Sequence, residues 1–252
     1  MIVIGLDGAT WSVIRPNLAR LPAFSRIMSR YRHCTLECDV RPVHSGPSWA
    51  TIFSGMTPAE HGICHFVMGE EARKALLGRR IFVWDSVPRA IVMGVPISLP
   101  PINLNYQMRD WERRVLSTTS EEMLESTRKT ADDLIGAIDF GEADLVVAVF
   151  SETDRAQHLF WHEPEALLLH YSSIDRALAR LESRLGERDF LILSDHGFTD
   201  AEETRRMGYD TVRENQTGGH HPDGIAISNL EPPGKVSGVS GFIRRALEKR
   251  GA

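Results

Sequence analysis

Residues 41–63 have the sequence RPVHSGPSWATIFSGMTPAEHGI, and we take this stretch as the one around which the fold is organised. It begins as a proline-bounded extended segment and offers the hydroxyl of Ser45 just before Pro47. Proline suits the first position of a helix, because the N–H that it lacks would be unpaired there. The pattern therefore predicts a helix over residues 48–54 that starts after Ser45 and is ended by Gly55.

Ser45 has two interpretations at this position. A hydroxyl at a helix N-terminus often serves only as the cap that accepts a backbone hydrogen bond. The same place concentrates backbone N–H groups and the positive end of the helix dipole, so it favours negative charge. A nucleophile that attacks an anionic substrate is therefore the second interpretation. This stretch alone does not separate the two.

The composition is that of a soluble globular protein, since 42% of the 252 residues are hydrophobic and 25% are charged. The formal net charge of −5 gives no basic field, so we expect no binding to nucleic-acid polymers or to a membrane. No apolar run approaches the roughly 20 residues of a membrane span. The apolar N-terminus meets Asp7 too soon, and without basic residues, for a signal peptide.

Three cysteines, Cys34, Cys38 and Cys64, are odd in number and lack the spacing of metal fingers. This usage predicts reduced thiols in a cytoplasmic protein. The sequence leaves the oligomeric state open.

Apolar segments alternate between strand-like and helix-like patterns along the chain. Residues 66–80 favour a loop with a short helix, and residues 102–118 carry no clear signal. This alternation predicts an α/β fold of three layers, with a mostly parallel central sheet covered by helices on both faces. With no internal repeat or linker, we expect one domain, residues 1–252. The predicted strands are residues 1–6, 34–40, 89–95, 143–150, 189–194 and 224–228, and the predicted helices are 17–30, 48–54, 119–138, 164–185 and 241–249.

Residues able to bind metals lie at the ends of the predicted strands. In open α/β sheets, functional groups collect beyond the carboxyl ends of the strands. An aspartate and a histidine four positions apart share one face of a helical turn, as Asp154 and His158 would. The set comprises Asp7 after the first strand, Asp154 and His158 after the strand ending at residue 150, Asp195 and His196 after the strand ending at residue 194, and His220 and His221 just before the last strand.

Each of these residues also has an ordinary structural interpretation. An aspartate that ends a strand is usually a turn or cap residue, and an Asp–His pair on a helix is usually a surface pair. The adjacent Asp195 and His196 are more specific, because charged neighbours after a buried strand have little use in packing. Taken as a set, carboxylates and imidazoles are ligands that suit zinc and tolerate manganese or iron.

In chain order, five motifs resemble those of the alkaline phosphatase superfamily, and most closely the type I phosphodiesterase / nucleotide pyrophosphatase family. The segments FVWD and GVPISLPP, which begin at Phe82 and Gly94, look like the same branch. The resemblance therefore runs from residue 1 to about residue 225. The five motifs are GLDG at residues 5–8, the stretch at 44–63, ETDRAQH at 152–158, SDHGF at 194–198 and GGHHPDG at 218–224.

The resemblance implies two divalent metal ions, with zinc as the first choice and manganese or iron as alternatives. Carried over by motif, Asp154, His158 and His220 would hold one ion, and Asp7, Asp195, His196 and the oxygen of Ser45 would hold the other.

Four neighbouring residues are assigned less directly. The family pattern Gly-x-His-x-Pro makes the first of the two adjacent histidines the ligand. His221 would then lie behind the metal ligands or contact the substrate. The N–H groups near Gly46 would contact the oxyanion of the substrate. His61 does not fall on a ligand position and is interpreted as structural, whereas the role of His44 is left open.

The chemistry that follows is cleavage of a phosphodiester or nucleotide pyrophosphate, with phosphate monoesters as an alternative. A serine hydroxyl is a poor nucleophile at neutral pH, and coordination to a metal lowers its pKa. Ser45 would then attack phosphorus in line and form a phosphoserine, while a two-metal clamp stabilises the attacking and leaving oxygens. The expected partner is a small-molecule phosphate ester or a nucleotide.

Two departures from the family pattern bear on specificity. The phosphodiesterase branch usually has threonine as its nucleophile, and here the residue is Ser45, so the preference between monoesters and diesters stays open. Only about 20 residues separate Phe198 from His220, where relatives often carry a large insertion over the substrate. We therefore expect an open site with a minimal or absent cap.

Three other functions are weighed against this one. A sulfatase has a similar spacing after its nucleophile, but Trp49 stands where that signature needs arginine. A metal-dependent phosphoglycerate mutase needs a large inserted domain that this length cannot hold. A non-catalytic metal- or nucleotide-binding protein would have lost a ligand or the nucleophile, and all seven positions are filled.

Overall fold

A seven-stranded sheet forms the centre of the protein. The computed structural model describes residues 1–65, 68–106, 112, 118–208 and 215–251. The strands of the central sheet are β1 (Ile2–Leu6), β2 (Arg32–Glu37), β3 (Ala90–Val95), β4 (Ile102–Leu104), β5 (Leu145–Phe150), β6 (Phe190–Leu193) and β9 (Asp223–Ser228), and the strands of a separate two-stranded sheet are β7 (Gly197–Asp200) and β8 (Gly218–His221).

The spatial order of the central sheet is β2-β9-β6-β1-β5-β3-β4. Strands β6, β1, β5 and β3 are parallel neighbours, whereas β9 and β4 run antiparallel to the strands beside them. Gly5 of β1 is in register with Val149 of β5 and Leu193 of β6. Asp7 lies two residues after Gly5, and Asp195 lies two residues after Leu193, so the two aspartates lie side by side at the carboxyl edge of the sheet.

Helices cover both faces of the sheet. Successive side chains of a strand point to opposite faces, and a sheet covered on both faces buries both sets. The residues of β1 divide in this way, with Ile4 packed in one hydrophobic core and Val3 in the other. This arrangement confirms the predicted α/β fold. The helices are α1 (Trp11–Ile14), α2 (Pro22–Arg30), α3 (Ser45–Ser54), α4 (Pro58–His61), α5 (Glu70–Gly78), α6 (Ser120–Asp139), α7 (Glu152–Phe160), α8 (Pro164–Leu181), α9 (Ala201–Met207) and α10 (Val239–Gly251).

Helix α3 packs against β1 through Trp49, whose indole is fully buried. A Cβ on Gly5 would lie 2.5 Å from the ring atom Cη2 of Trp49, which is closer than any real contact. Glycine at this position therefore allows the helix to approach the strand. As a result the N-terminus of α3, with Ser45, lies at the carboxyl edge of the sheet beside Asp7.

The start of α3 differs from the prediction. The helix begins at Ser45 rather than residue 48, and His44 is its N-cap, since the His44 Nδ1 accepts a hydrogen bond from the Gly46 N–H. Pro47 is therefore the third helical residue. The predicted end is confirmed, because Gly55 caps the helix with a φ of +76° that favours glycine.

Other boundaries and elements also differ. The helix predicted at 17–30 begins at Pro22, whereas the short helix predicted within residues 66–80 is present as α5. The two-stranded sheet and β4 were not predicted. Within the segments without a clear assignment, residues 66–67, 107–111 and 113–117 lie outside the described part of the chain.

All three cysteines are free thiols, as the sequence predicts. In the part of the chain that the structure describes, none of the helices combines the length and apolar character needed to cross a bilayer.

Buried His61 ties α4 to α3. Its Nδ1 accepts a hydrogen bond from the Ile63 N–H at 3.0 Å, and its Nε2 lies 3.2 Å from the Thr51 hydroxyl. Burial, with the nearby Arg79 charge, lowers the pKa of His61 to about 4. The ring is therefore neutral in the folded protein, and its Nδ1 is an acceptor.

This buried histidine predicts acid sensitivity. As pH falls below the ordinary histidine pKa of 6.5, His61 becomes protonated in the unfolded chain. In the folded chain it stays neutral until about pH 4. The contribution of His61 to the free energy of unfolding is therefore complete above pH 6.5 and declines between pH 6.5 and about 4. It falls by about 2 kcal/mol between pH 7 and 5. Urea unfolding at both pH values measures it.

The matched variants are His61→Asn and, at an exposed histidine, His33→Asn. We expect His61→Asn to lose less stability than the wild type between pH 7 and 5, because no proton uptake remains at that position. His33→Asn should keep the wild-type pH dependence. An unchanged pH dependence in His61→Asn would contradict this account.

Candidate metal centre

The seven predicted ligands come together at the carboxyl edge of the central sheet. They are supplied by different elements, which share only their position at this edge. Most of the side chains are buried, and those of Asp154 and His158 are 16% and 13% exposed. The positions are Asp7 after β1, Ser45 at the start of α3, Asp154 and His158 on α7, Asp195 and His196 between β6 and β7, and His220 on β8.

Asp154, His158 and His220 form one side of the centre. The Nε2 atoms of His158 and His220 are 3.1 Å apart, and they lie 3.6 Å and 3.3 Å from Asp154 Oδ1. The opposite nitrogens face backbone carbonyls, with His158 Nδ1 at 3.0 Å from Gly218 O and His220 Nδ1 at 2.8 Å from Val43 O. When each Nδ1–H donates to its carbonyl, both Nε2 lone pairs point at the same space, as in metal-binding histidines.

Asp7, Ser45, Asp195 and His196 form the other side. The Ser45 hydroxyl donates to Asp7 Oδ1 at 3.2 Å and lies 3.2 Å from His196 Nε2. His196 Nε2 is also 3.3 Å from Asp195 Oδ2, while its Nδ1 donates to Gly197 O at 3.0 Å. Two carboxylates, an imidazole and a hydroxyl therefore converge on one point.

His196 borders both sides. Its Nε2 lies 4.0 Å from Asp154 Oδ1, and its ring stacks on that of His220 with centroids 4.0 Å apart. Among the described residues, two sets of potential ligand atoms lie within 4.8 Å of one another, namely Asp154, His196 and His220, and Asp7, Asp195 and His196. The two sides are thus contiguous and not separate pockets.

The carboxylates of this centre are held in an unfavourable environment. Burial, reinforced by neighbouring carboxylates, raises the pKa of Asp7 well above its usual value, and burial raises the pKa of Asp195 to about 7. Burial acts the same way on Asp154, but the adjacent charges of His158 and His220 outweigh it and hold that pKa below its usual range. Burial and the charge of His220 depress the pKa of His196. A bound cation would favour the charged carboxylates and neutral imidazoles together.

Two carboxylate oxygens indicate where cations fit. Asp154 Oδ1 and Asp195 Oδ2 are buried and have no hydrogen-bond partner among the residues that the structure describes. Buried polar atoms are normally paired, so an orphaned carboxylate oxygen facing imidazole nitrogens is what a metal ligand looks like without its ion. The mixture of carboxylate, imidazole and hydroxyl donors fits zinc and also accommodates manganese or iron.

The secondary candidates lie around this centre. The Gly46 N–H, predicted to contact the oxyanion, points to His44 Nδ1 at 3.4 Å. The His44 ring is 5.9 Å from the His220 ring, which places it at the rim. His221 follows His220 on β8 and so projects to the other face of that strand. Its Nδ1 accepts the Asp223 N–H at 3.1 Å.

Three supporting residues were missed by sequence reasoning. Thr153 and Gln157 bond to the carbonyls of residues 7 and 8 at 2.6 Å and 2.8 Å. Phe198 packs against the rings of His158 and His220, with centroids 4.8 Å and 5.3 Å away. The only local signal was spacing, because Thr153 and Gln157 are four apart and each immediately precedes a predicted ligand on α7.

Comparison with known sequences gives one family. The family model of the type I phosphodiesterase / nucleotide pyrophosphatase matches residues 1–246. None of the curated protein sequences matches the chain.

Solved structures share the fold. Murine ectonucleotide pyrophosphatase / phosphodiesterase 5 is 14% identical, with a TM-score of 0.63, over 98% of this chain and 95% of that one. Its inactive variant in complex with AMP is also 14% identical, with a TM-score of 0.62, over 98% of this chain and 94% of that one. Phosphonoacetate hydrolase from Sinorhizobium meliloti, in complex with phosphonoformate, is 17% identical, with a TM-score of 0.53, over 79% of this chain. This chain spans 56% of that hydrolase.

The buried carboxylates predict a stability response to metal. At pH 8 the metal-free protein must hold Asp195 ionised above its raised pKa, which destabilises the fold. Asp195→Asn removes that charge, so we expect the metal-free variant to melt at a higher temperature than the metal-free wild type. Zn²⁺ should raise the melting temperature of the wild type by more than that of the variant, in which only the group of Asp154, His158 and His220 keeps all its proposed ligands. Thermal unfolding in EDTA and in Zn²⁺ measures both.

The exposed Asp139 supplies the control, since Asp139→Asn also removes one negative charge but lies away from the centre. That variant should respond to Zn²⁺ as the wild type does. Equal stabilisation of Asp195→Asn and the wild type by Zn²⁺ would show that Asp195 binds no metal.

Proposed function

The chain belongs to the type I phosphodiesterase / nucleotide pyrophosphatase family, and we propose that it hydrolyses small phosphate esters at a two-metal site through a phosphoserine intermediate. Phosphodiesters and nucleotide pyrophosphates are the first substrate classes, and phosphate monoesters are the alternative. The observation that carries the proposal is the position of the Ser45 hydroxyl. It lies at the N-terminus of α3, within 3.2 Å of both Asp7 Oδ1 and His196 Nε2.

The metal ligands in this proposal follow the two sides of the centre. Bound divalent ions, zinc before manganese or iron, would neutralise the buried carboxylates, lower the pKa of the Ser45 hydroxyl and stabilise charge on the phosphate. Asp154, His158 and His220 would hold one ion, and Asp7, Asp195, His196 and Ser45 would hold the other. The orphaned oxygens of Asp154 and Asp195 support this assignment.

Ser45 performs the covalent step in this proposal. Its Oγ, once deprotonated, forms a bond to phosphorus while the bond from phosphorus to the leaving oxygen breaks, and the leaving oxygen takes up a proton. The phosphorus group stays on Ser45, and in a diester it keeps its second ester substituent. Water then hydrolyses the phosphoserine, releases the phosphorylated product and restores the hydroxyl. Asp7 orients Ser45 by accepting its hydrogen bond, and the positive end of the α3 dipole favours the anionic group.

The peptide N–H of Gly46 is the proposed backbone contact to that group. In the structure it faces the His44 imidazole at 3.4 Å, a long hydrogen bond that a phosphate oxygen would replace. His221 projects from the other face of β8, so we propose no direct contact between its side chain and phosphorus. It contributes at most to the surroundings of the site.

The proposed substrate class is small molecules. Between Phe198 and His220 the described residues form β7, α9 and β8, and residues 209–214 lie outside the description. A segment of this length supports an open site with little or no cap. The complexes of the neighbours with AMP and with phosphonoformate support nucleotides and small phosphorus oxyanions as ligands. Three free thiols support action in the reducing cytoplasm.

Ser45→Ala tests the nucleophile. We expect it to reduce turnover of p-nitrophenyl phosphate and of bis-p-nitrophenyl phosphate to background, because no oxygen remains to attack phosphorus. Metal content should fall little, since the other ligands are intact. Ser54→Ala, at the far end of the same helix, should retain wild-type turnover. Full activity in Ser45→Ala would show that Ser45 is not the nucleophile.

A substrate panel tests the reaction class. The purified protein, stripped by chelation and reloaded with Zn²⁺ or Mn²⁺, should be inactive without metal and should cleave phosphodiesters or nucleotide pyrophosphates once loaded. The panel also includes monoesters, a phosphonate and sulfate esters. A preference for sulfate esters would establish the sulfatase alternative, and metal binding without any turnover would establish the non-catalytic one.

A further inference from the structure

Helix α7 carries two pairs of side chains with the same spacing. Asp154 and His158 face the metal centre, and Thr153 and Gln157 face the turn that follows β1. Residues four apart share one face of a helix, so the two pairs lie on adjacent faces. The same helix therefore holds ligands for one ion and contacts the turn that carries Asp7, a ligand for the other.

The contacts to that turn are short and buried. The Thr153 hydroxyl donates to the Asp7 carbonyl at 2.6 Å, and the Gln157 Nε2 donates to the Gly8 carbonyl at 2.8 Å. The Gly8 N–H in turn donates to Asp195 Oδ1 at 3.2 Å. The peptide groups of Gly8 therefore link α7 to Asp195, because the Gly8 carbonyl accepts a hydrogen bond from α7 and the Gly8 N–H donates one to Asp195. This leaves Asp195 Oδ2 as the oxygen that faces His196.

Tyr171 of α8 fixes the direction of the Gln157 amide. Its hydroxyl donates to Gln157 Oε1 at 2.8 Å and accepts the Thr10 N–H at 3.2 Å. Because the amide oxygen is engaged on that side, the amide nitrogen must face Gly8. Gln157 and Tyr171 have no exposed surface, so water cannot replace either bond.

The turn has no room to move away from this support. Gly8 has a φ of +67°, a backbone conformation that favours glycine. A Cβ at this position would lie 2.7 Å from the Phe198 ring and 3.2 Å from the Gln157 Nε2. The turn is therefore enclosed between Gln157 and Phe198, and Phe198 itself packs on the His158 ring.

We propose that Gln157, oriented by Tyr171, is a positioning residue that fixes the two groups of metal ligands relative to each other. It does so by holding the turn of Asp7 and Gly8, and through it Asp195, against the helix that carries Asp154 and His158. The inference rests on the proposed two-metal function. It assigns no contact between Gln157 and metal or substrate.

This role has a measurable signature. Groups that orient metal ligands typically change metal affinity by about 10- to 100-fold when removed. Gln157→Met keeps the volume of the side chain and removes both amide bonds, so we expect a loss of that size at the site of Asp7 and Asp195. Tyr171→Phe removes one oxygen and frees the amide to turn over, so its effect should be smaller.

The experiment is calorimetric titration of the metal-stripped, full-length protein with Zn²⁺, together with kcat and KM of the reloaded enzyme. The control is Thr127→Val, which removes a buried hydroxyl whose hydrogen bond, among the residues that the structure describes, is to the Met123 carbonyl within α6. We expect wild-type Zn²⁺ affinity in the control. Because Tyr171 acts through Gln157, adding Tyr171→Phe to Gln157→Met should weaken binding no further.

Two outcomes overturn the inference and are distinguishable. If the wild type binds two Zn²⁺ and is active, and Gln157→Met binds both with unchanged affinity, only the positioning role falls. If the wild type binds no Zn²⁺ and is inactive, the proposed function is wrong, and so is the inference that rests on it. Additive losses in the double variant would show that Tyr171 acts independently of Gln157.

Discussion

Three neighbouring carboxylates, the buried Asp7 and Asp195 and the largely buried Asp154, impose the constraint on which this structure depends. Taking ionised carboxylates out of water is expensive, and two of these groups have a raised pKa as a consequence. The imidazoles of His158 and His220 outweigh the effect of burial at Asp154, whereas at Asp195 burial outweighs the charge of His220. Without a cation the raised pKa values of Asp7 and Asp195 favour the protonated carboxyls, and a bound divalent cation would instead favour the ionised carboxylates. In this member of the type I phosphodiesterase / nucleotide pyrophosphatase family, the rest of the fold holds these side chains in place.

The fold supplies this support from three directions. Parallel pairing of β1 with β5 and β6 sets Asp7 and Asp195 side by side. The close approach of Trp49 to Gly5 positions the N-terminus of α3, so that the Ser45 hydroxyl and the positive end of the helix dipole lie beside Asp7. Helix α7 supports the site from the third direction, with the candidate ligands Asp154 and His158 on one face and Thr153 and Gln157, which bond to the turn after β1, on the next. Each contact is ordinary packing or hydrogen bonding, and together they bring the candidate metal ligands and the Ser45 hydroxyl to one place.

Local patterns single out candidate ligands in the sequence, but they do not reveal the residues that support them. Asp7 and Asp195 could be found because each directly follows a buried apolar strand, and Asp154 and His158 because of their helical spacing. The helix at Ser45 was misplaced because His44 supplies its cap, which no apolar pattern reveals. Strand β8 begins with two glycines and lacks the alternation that signals a strand. The hydrogen bond from Gln157 to Gly8 joins residues 149 positions apart, and sequence periodicity does not predict contacts between such distant positions.

The most direct measurement is the anomalous diffraction of crystals of the full chain grown with Zn²⁺. The account predicts two anomalous peaks a few ångströms apart, one among Asp154, His158 and His220 and the other among Asp7, Asp195 and His196, with Ser45 Oγ bound to the second. A single ion surrounded only by oxygen ligands, or two ions with Ser45 turned away from both, would contradict it.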